Sequence, residues 1–237
     1  MVDGKKIGVV IPAAGEGKRM KSSQRKQFLM VADKPILLRT MEIFNSTPEV
    51  DSIVLVTAAD KINYVNDITQ RNQLSKVHSI IEGGTERQDS VWNGLKKLSA
   101  LNIDYVIIHD AVRPFITQKL IRSVLLGAIE YGAAIAAVKP SDTVKYSEGK
   151  NFIKGTYDRN RIWLAQTPQA FKFSIIYDAY EKALTENFYS TDDASLVERY
   201  DGIIKLVEGE SWNIKITNPF DLELGEIIAK SGVLNNT

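Results

Sequence analysis

The chain alternates short, wholly apolar runs with longer segments whose apolar positions recur at helical spacing. Ile7-Gly8-Val9-Val10-Ile11 reads as a buried strand ended by Pro12. Ser52–Thr57, the short run Ser79-Ile80-Ile81, and Tyr105–Ile108 read the same way. Between them, segment 34–45 places Ile36, Leu37, Thr40, Met41 and Phe44 on one helical face. Segments 60–71 and 86–99 are also helical, the second carrying Val91, Leu95 and Leu98. A helix over 117–131 and the run Ala133–Val138 repeat the unit. Strands apolar on both faces, alternating with helices, predict an α/β fold: a doubly wound, mostly parallel sheet.

The pattern loosens between about 140 and 160. Lys139-Pro140-Ser141-Asp142-Thr143 and Ser147-Glu148-Gly149-Lys150-Asn151 read as turns beside short strands, hence a β-arm over 139–160. The period resumes with a helix over 174–186 and another after Thr191-Asp192-Asp193. Strands near 203–207 and 213–217 follow, then a helix from Pro219, where the missing N–H costs nothing, and a frayed tail over 231–237. Without a repeat or a long linker, residues 1–237 are expected to form one domain carrying the arm.

Composition narrows the chemistry. The 237 residues are 44% hydrophobic and 25% charged, with a formal net charge of +1, which disfavours a nucleic-acid or membrane-surface binder. Absence of cysteine excludes disulfides and thiolate metal sites, and two histidines argue against a multi-histidine one. No apolar stretch approaches the roughly 18 residues of a membrane span, and the N-terminus lacks a signal-peptide pattern. A cytoplasmic protein is expected.

Candidate chemistry begins after the first strand, at Pro12-Ala13-Ala14-Gly15-Glu16-Gly17-Lys18-Arg19-Met20. In a doubly wound fold that carboxyl end faces the ligand crevice, and small residues let backbone N–H groups approach an anion. Met20 stands where a dinucleotide fingerprint would have its third glycine, and no Ser or Thr follows Gly17-Lys18 as in a Walker A loop. Among Lys18, Arg19, Lys21, Arg25 and Lys26, the two that flank the loop best as phosphate partners are Arg19 and Lys26. A cation about 4 Å from a phosphate contributes about 4 kcal/mol at an effective dielectric near 20.

Other positions stay open between function and structure. Asp110, ending an apolar strand, can bind Mg²⁺ or a ribose hydroxyl, or cap the next helix. Gly83-Gly84 is a base-reading backbone or a plain turn; Thr191-Asp192-Asp193 reads as a helix cap. Lys215, between Ile214 and Ile216 in a strand-like segment, needs an exposed face or an anionic partner such as a substrate phosphate.

Several blocks taken together resemble the 2-C-methyl-D-erythritol 4-phosphate cytidylyltransferase family over roughly residues 6–230. They are the first loop to Met20; Lys26-Gln27-Phe28; Gly83-Gly84-Thr85-Glu86-Arg87-Gln88-Asp89-Ser90-Val91; and His109-Asp110-Ala111-Val112-Arg113-Pro114-Phe115. Asp142-Thr143-Val144-Lys145, Asp158-Arg159-Asn160, Gln166-Thr167-Pro168-Gln169, Thr191-Asp192-Asp193-Ala194-Ser195 and Asn213-Ile214-Lys215-Ile216-Thr217 follow in order. One departure is Arg25, where the family usually has proline before the lysine.

The resemblance implies a Rossmann-like nucleotidyltransferase fold and a homodimer whose 139–160 arm meets the partner. It implies that Arg19 and Lys26 stabilise the transition state at the α-phosphate of CTP, and that Arg159 and Lys215 position the sugar-alcohol phosphate. Pro12, Ala13, Ala14, Gly15, Gly17, Gly84, Thr85 and Ser90 would hold the nucleotide. Asp110 and Ala111 would meet the ribose or a magnesium ion, with Arg113 beside them. Thr143, Thr167 and Thr191 would line the second substrate's pocket. A phosphate monoester, with its second pKa near 6, arrives deprotonated at neutral pH, so the absence of an evident general base is consistent with in-line attack on CTP. A ribitol 5-phosphate cytidylyltransferase is the nearest rival, and a non-catalytic nucleotide-binding module the rival of another class.

Overall fold

Each apolar run divides its side chains between the two faces of one sheet, which is why the runs are continuous rather than alternating. The computed structural model describes residues 2, 4–17, 20, 24–149 and 151–235. Its elements, in chain order, are β1 (Ile7–Ala13), β2 (Met30–Val31), β3 (Lys34–Pro35), α1 (Ile36–Ser46), β4 (Ser52–Thr57), α2 (Ile62–Arg71), β5 (Val77–Glu82) and α3 (Arg87–Ser99). There follow β6 (Tyr105–Ile108), α4 (Gln118–Tyr131), β7 (Ala133–Val138), β8 (Lys145–Tyr146), β9 (Gly155–Thr156) and β10 (Leu164–Lys172). The last are α5 (Phe173–Thr185), α6 (Asp193–Arg199), β11 (Lys205–Glu208) and α7 (Pro219–Lys230).

The seven-stranded sheet has the order β11-β7-β10-β6-β1-β4-β5. Only β10 runs antiparallel, against both β6 and β7. Ile7, Val9 and Ile11 of β1 join Leu37, Met41, Phe44 and Ile121 on the face covered by α1 and α4. Val10, with Val54 and Val56 of β4, meets Val91, Leu95 and Tyr180 on the face covered by α3 and α5. A third apolar group joins Val112, Phe115, Ile216 and Ile228, seating α7 beside the loop after β6. The expected arm is present as the antiparallel pair β8–β9, and its linking residues Phe152 and Ile153 are largely exposed.

Three expectations change. First, β10 replaces what the sequence presents only as a polar block with a proline. Its ladder to β7 is irregular between Ala165 and Gln169, where the cis Thr167–Pro168 peptide sits; a break of this kind is where a sheet tolerates proline. Buried Gln169 is satisfied by donating to Asp192 at 2.8 Å and accepting from the Ala194 N–H at 3.0 Å. Second, residues 213–217 form no strand; they run as an irregular segment tied by the Ile216 N–H to the Val112 carbonyl at 2.9 Å. Third, the expected fray gives way at Val233–Asn235 to a short 3₁₀ turn, with Val233 and Leu234 packed against the third apolar group.

Gly94 shows how closely α3 rides on the sheet. Glycine in a helix interior costs about 1 kcal/mol relative to alanine. Here a Cβ would stand 2.5 Å from Val10 Cγ1, on a strand that cannot move aside. Gly94→Val is therefore expected to destabilise the protein by about 1–3 kcal/mol or more, through overpacking and a β-branched side chain in a helix. Urea unfolding measures it, and unchanged stability would mean that α3 can lift from β1.

Candidate active site

The chain moves from β1 outward to β4 and β5, then returns to the other side of β1 as β6. The crevice between β1 and β6 is therefore the sheet's topological switch point, where ligands collect at strand carboxyl ends. A cleft of about 640 Å³ opens there, bounded by the loops after β1, β5 and β6 and by Lys215.

The first loop owes its shape to a side chain that the sequence reading left without a role. Gln27, buried beside Lys26, donates from Nε2 to the carbonyls of Ala13 at 2.6 Å and Gly15 at 3.1 Å. With those carbonyls turned toward Gln27, the small residues line the cleft. Gly17 adopts φ +71°, a conformation natural to glycine, and its α-carbon faces the Lys26 side chain. Across the cleft, the Gly84 N–H donates to Ser90 Oγ at 3.2 Å, and the Glu86 N–H to Asp89 at 2.9 Å, shaping the turn into α3. A Cβ on Gly83 would stand 2.4 Å from the Ala14 Cβ, so the two loops touch as closely as backbone allows.

Asp110 is the charged centre. Its Oδ1 accepts from Arg87 Nε at 3.1 Å; its Oδ2 lies 2.8 Å from Lys215 Nζ and 3.7 Å from Arg113 Nε. Burial by itself would raise this carboxyl, but Arg87, then Lys215 and Arg113, outweigh burial and hold it far below the usual carboxylate range. The group is thus an anion at every working pH. Arg87 also reaches Asp193 Oδ2 at 2.7 Å, and Tyr180 donates to Asp193 Oδ1 at 2.5 Å. Three cations against two carboxylates leave this cluster one positive charge in excess beside the cleft.

Asp110 is seated by its neighbours. Its N–H donates to Thr167 Oγ1 at 3.1 Å, and that hydroxyl lies 3.1 Å from His109 Nδ1. The Arg113 carbonyl, 3.0 Å from Nε2, can only accept, so the neutral ring carries its proton on Nε2 and Nδ1 accepts from the Thr167 hydroxyl. Asn213 closes the far side, donating to the Thr167 carbonyl at 2.9 Å while its own backbone carbonyl accepts from Arg113 Nη1 at 2.8 Å. These bonds bring Lys215 to Asp110 from an irregular segment.

Of the sequence candidates, Pro12, Ala13, Ala14, Gly15, Gly17, Lys26, Gly84, Thr85, Ser90, Asp110, Ala111 and Lys215 all line the cleft. Arg19 lies outside the described residues. Arg113 and Thr167 stand behind Asp110 and support it rather than lining the cleft. Thr143 and Arg159 belong to the arm region, where Arg159 Nη1 donates to the Ser141 carbonyl at 2.9 Å; Thr191 precedes the Asp192 cap of α6. None of these three lines the cleft of its own chain. Arg87, Asp193 and Gln27 are what residue-by-residue reading missed. Arg87 opens a helix and Asp193 sits beside a cap, and only the fold brings them together.

His109 makes a stability prediction. Burial lowers its pKa from 6.5 to about 4, so the folded state holds fewer protons than the unfolded chain between those values. Stability is then full above pH 6.5 and falls toward pH 4, by up to about 3 kcal/mol from this group. Asp110, with its depressed pKa, withdraws stability only below its ordinary 3.8. Unfolding free energies of the wild type and His109→Gln should therefore converge or cross as pH drops from 6.5 to 4. A constant difference between them across that window would show the ring already charged in the folded protein.

The family model described as "IspD: 2-C-methyl-D-erythritol 4-phosphate cytidylyltransferase" matches residues 7–231. A protein of that name from Clostridium botulinum (strain Langeland) is 47% identical over 223 residues, covering 94% of this chain and 97% of the relative. One from Syntrophus aciditrophicus is 46% identical over 226 residues, with 95% and 96% covered. Among solved structures, 4-diphosphocytidyl-2C-methyl-D-erythritol synthase from Anaerococcus prevotii aligns with a TM-score of 0.85 at 33% identity, covering 97% of this chain and 98% of that one. The 2-C-methyl-D-erythritol 4-phosphate cytidylyltransferase from Thermus thermophilus aligns at 0.76 and 30% identity, with 95% and 99% covered. Matched by the family model and by relatives over nearly its whole length, the chain belongs to the 2-C-methyl-D-erythritol 4-phosphate cytidylyltransferase family.

Proposed function

We propose that this chain transfers the cytidylyl group of CTP to 2-C-methyl-D-erythritol 4-phosphate, giving 4-diphosphocytidyl-2-C-methyl-D-erythritol and pyrophosphate in non-mevalonate isoprenoid precursor biosynthesis. The observation that carries the reading is the meeting, in one cleft, of a small-residue loop with Lys26 and of Asp110 with Lys215. The loops after β1 and β5 are suited to hold the nucleotide through backbone groups. A sugar phosphate oxygen attacks the α-phosphorus in line, forming one P–O bond as the bond to pyrophosphate breaks. Arg19 and Lys26 bear on the charge that grows at the α-phosphate; Lys215 and Arg159 place the attacking phosphate. That phosphate arrives deprotonated, so no protein base is required.

Magnesium belongs to the same proposal. Among the described residues no three His, Asp or Glu side chains gather into a metal cage. The donor set instead suits an ion held mainly by triphosphate oxygens and water, with the ionised Asp110 offering a lone pair beside those that Arg87 and Lys215 take; such sparse protein ligation is usual for Mg²⁺. When bound, the ion would neutralise triphosphate charge.

The arm carries the proposed partner contact. Phe152 and Ile153 are 80% and 69% exposed, and the Tyr146 and Tyr157 rings pack at 5.0 Å between centroids beside them. Apolar side chains displayed on a projecting hairpin suit a second copy of this chain, and the arm would then bring Thr143 and Arg159 to the neighbour's cleft. Residues 1–237 would form one nucleotidyltransferase domain with this arm. Among the described residues no helix is long and apolar enough to cross a membrane. A cytoplasmic address, with small molecules rather than nucleic acid as substrates, completes the reading.

Pyrophosphate release tests it directly. Release is expected with Mg²⁺, CTP and 2-C-methyl-D-erythritol 4-phosphate, and not with UTP in place of CTP. Release only with ribitol 5-phosphate would overturn the acceptor, and CTP binding without release from either would favour a non-catalytic module. Lys215→Ala should lower turnover by about a hundredfold or more and raise the KM of the sugar phosphate, while CTP affinity changes little. Equal loss for both substrates would place Lys215 on the nucleotide instead.

A further inference from the structure

Asp193 is, with Asp110, one of the two buried carboxylates among the described residues, and the transfer chemistry above makes no use of it. It opens α6, 106 positions after Arg87, yet its Oδ2 accepts from Arg87 Nη2 at 2.7 Å. Its Oδ1 accepts from Tyr180, a fully packed ring stacked on Trp92 at 6.0 Å. Arg87 then donates from Nε to Asp110 Oδ1, and Lys215 takes Oδ2. Every carboxylate oxygen in this row has its own donor, and the row runs from a rigid aromatic pair in the core to an ammonium at the cleft.

We propose that Arg87 is a positioning residue for cytidylyl transfer: aimed by Asp193 and Tyr180, it occupies Asp110 Oδ1 alone and thereby reserves Oδ2 for Lys215. A guanidinium prefers to engage both oxygens of a single carboxylate through its fork. Splitting Arg87 between two carboxylates prevents that preference from being satisfied at Asp110. Released from Asp193, Arg87 would close on both Asp110 oxygens and displace Lys215 from the position where it meets the sugar phosphate. Arg87 is also the first residue of α3, but the Gly83–Glu86 turn before it is held by its own bonds, Gly84 N–H to Ser90 and Glu86 N–H to Asp89, which do not involve the Arg87 side chain.

The inference rests on the transfer reaction proposed above, and wild-type pyrophosphate release is the control that separates the two. No release by wild type defeats the reaction; normal release by wild type with unaffected variants defeats the role of Arg87. Arg87→Lys keeps the charge but loses the planar fork whose Nε and Nη2 reach the two carboxylates separately. It should lower kcat about tenfold to a hundredfold and raise the sugar phosphate KM, with CTP affinity within about twofold of wild type. The double variant Arg87→Gln with Asp193→Asn removes both charges of the pair together, so it avoids an unpaired buried carboxylate, and it should show the same split. Tyr180→Phe, which changes only the bond to Asp193, should show a smaller loss of the same kind and decides the matter if the arginine variants do not fold. Wild-type kinetics in the folded variants, or parallel losses in kcat, in both affinities and in thermal midpoint, would overturn the proposal and leave Arg87 a structural brace.

Discussion

The site depends on keeping one largely buried carboxylate ionised at the wall of the cleft. Asp110 is buried at the end of β6, and an isolated anion there would take up a proton. Three cations prevent this, and each comes from a different part of the chain: Arg87 from the start of α3, Arg113 from the loop after β6, Lys215 from the irregular segment before α7. Buried ion pairs of this sort contribute little net stability, because desolvation offsets most of the attraction. What they provide is placement. The loop after β1, the turn before α3 and the segment carrying Lys215 converge on one cleft, and two of the three are tied to Asp110 directly.

Much of this was legible in the sequence. Pattern alone does not say which strand is central, but the apolar runs at β1, β4, β6 and β7 marked both faces as buried, and the doubly wound reading followed. The cleft residues of the first loop were legible because small residues after a first strand have one common use in such folds. Less legible was anything defined by a long-range partner. Lys215 signalled that it needed an exposed face or an anion, but the anion that meets it within the protein, Asp110, lies outside its local segment. Asp193 looked like part of a cap, and the cap is in fact Asp192, leaving Asp193 turned inward to Tyr180 and Arg87. Strand β10 was hidden because its buried positions include glutamine and threonine, whose hydrogen-bond partners are set by the fold and not by periodicity.

The same contrast separates two kinds of polar burial. Gln27, Gln166, Gln169 and Asn213 are neutral amides that fasten loops to one another by donating to main-chain carbonyls or side-chain acceptors. They hold geometry at low electrostatic cost. The ionised cluster runs from Asp193, buried behind the cleft, to Lys215 at the cleft itself, where an excess positive charge is suited to triphosphate. Scaffold and chemistry therefore use different residue types within one compact region.

Strand β10 also bears on the order in which the molecule can assemble. It lies between β6 and β7 in the sheet but follows both in the chain, and β7 has only later strands, β10 and β11, as neighbours. During synthesis, β1, β4, β5 and β6 can pair once the first 108 residues are available, whereas β7 waits for residues 164–172. Non-local pairing of this kind is slow. Thr167, on which Asp110 is seated, arrives with that same strand. A nascent chain thus carries the cleft loop after β1 early, yet acquires a finished charged centre only when the sheet closes, so that a half-made protein is not a half-active one.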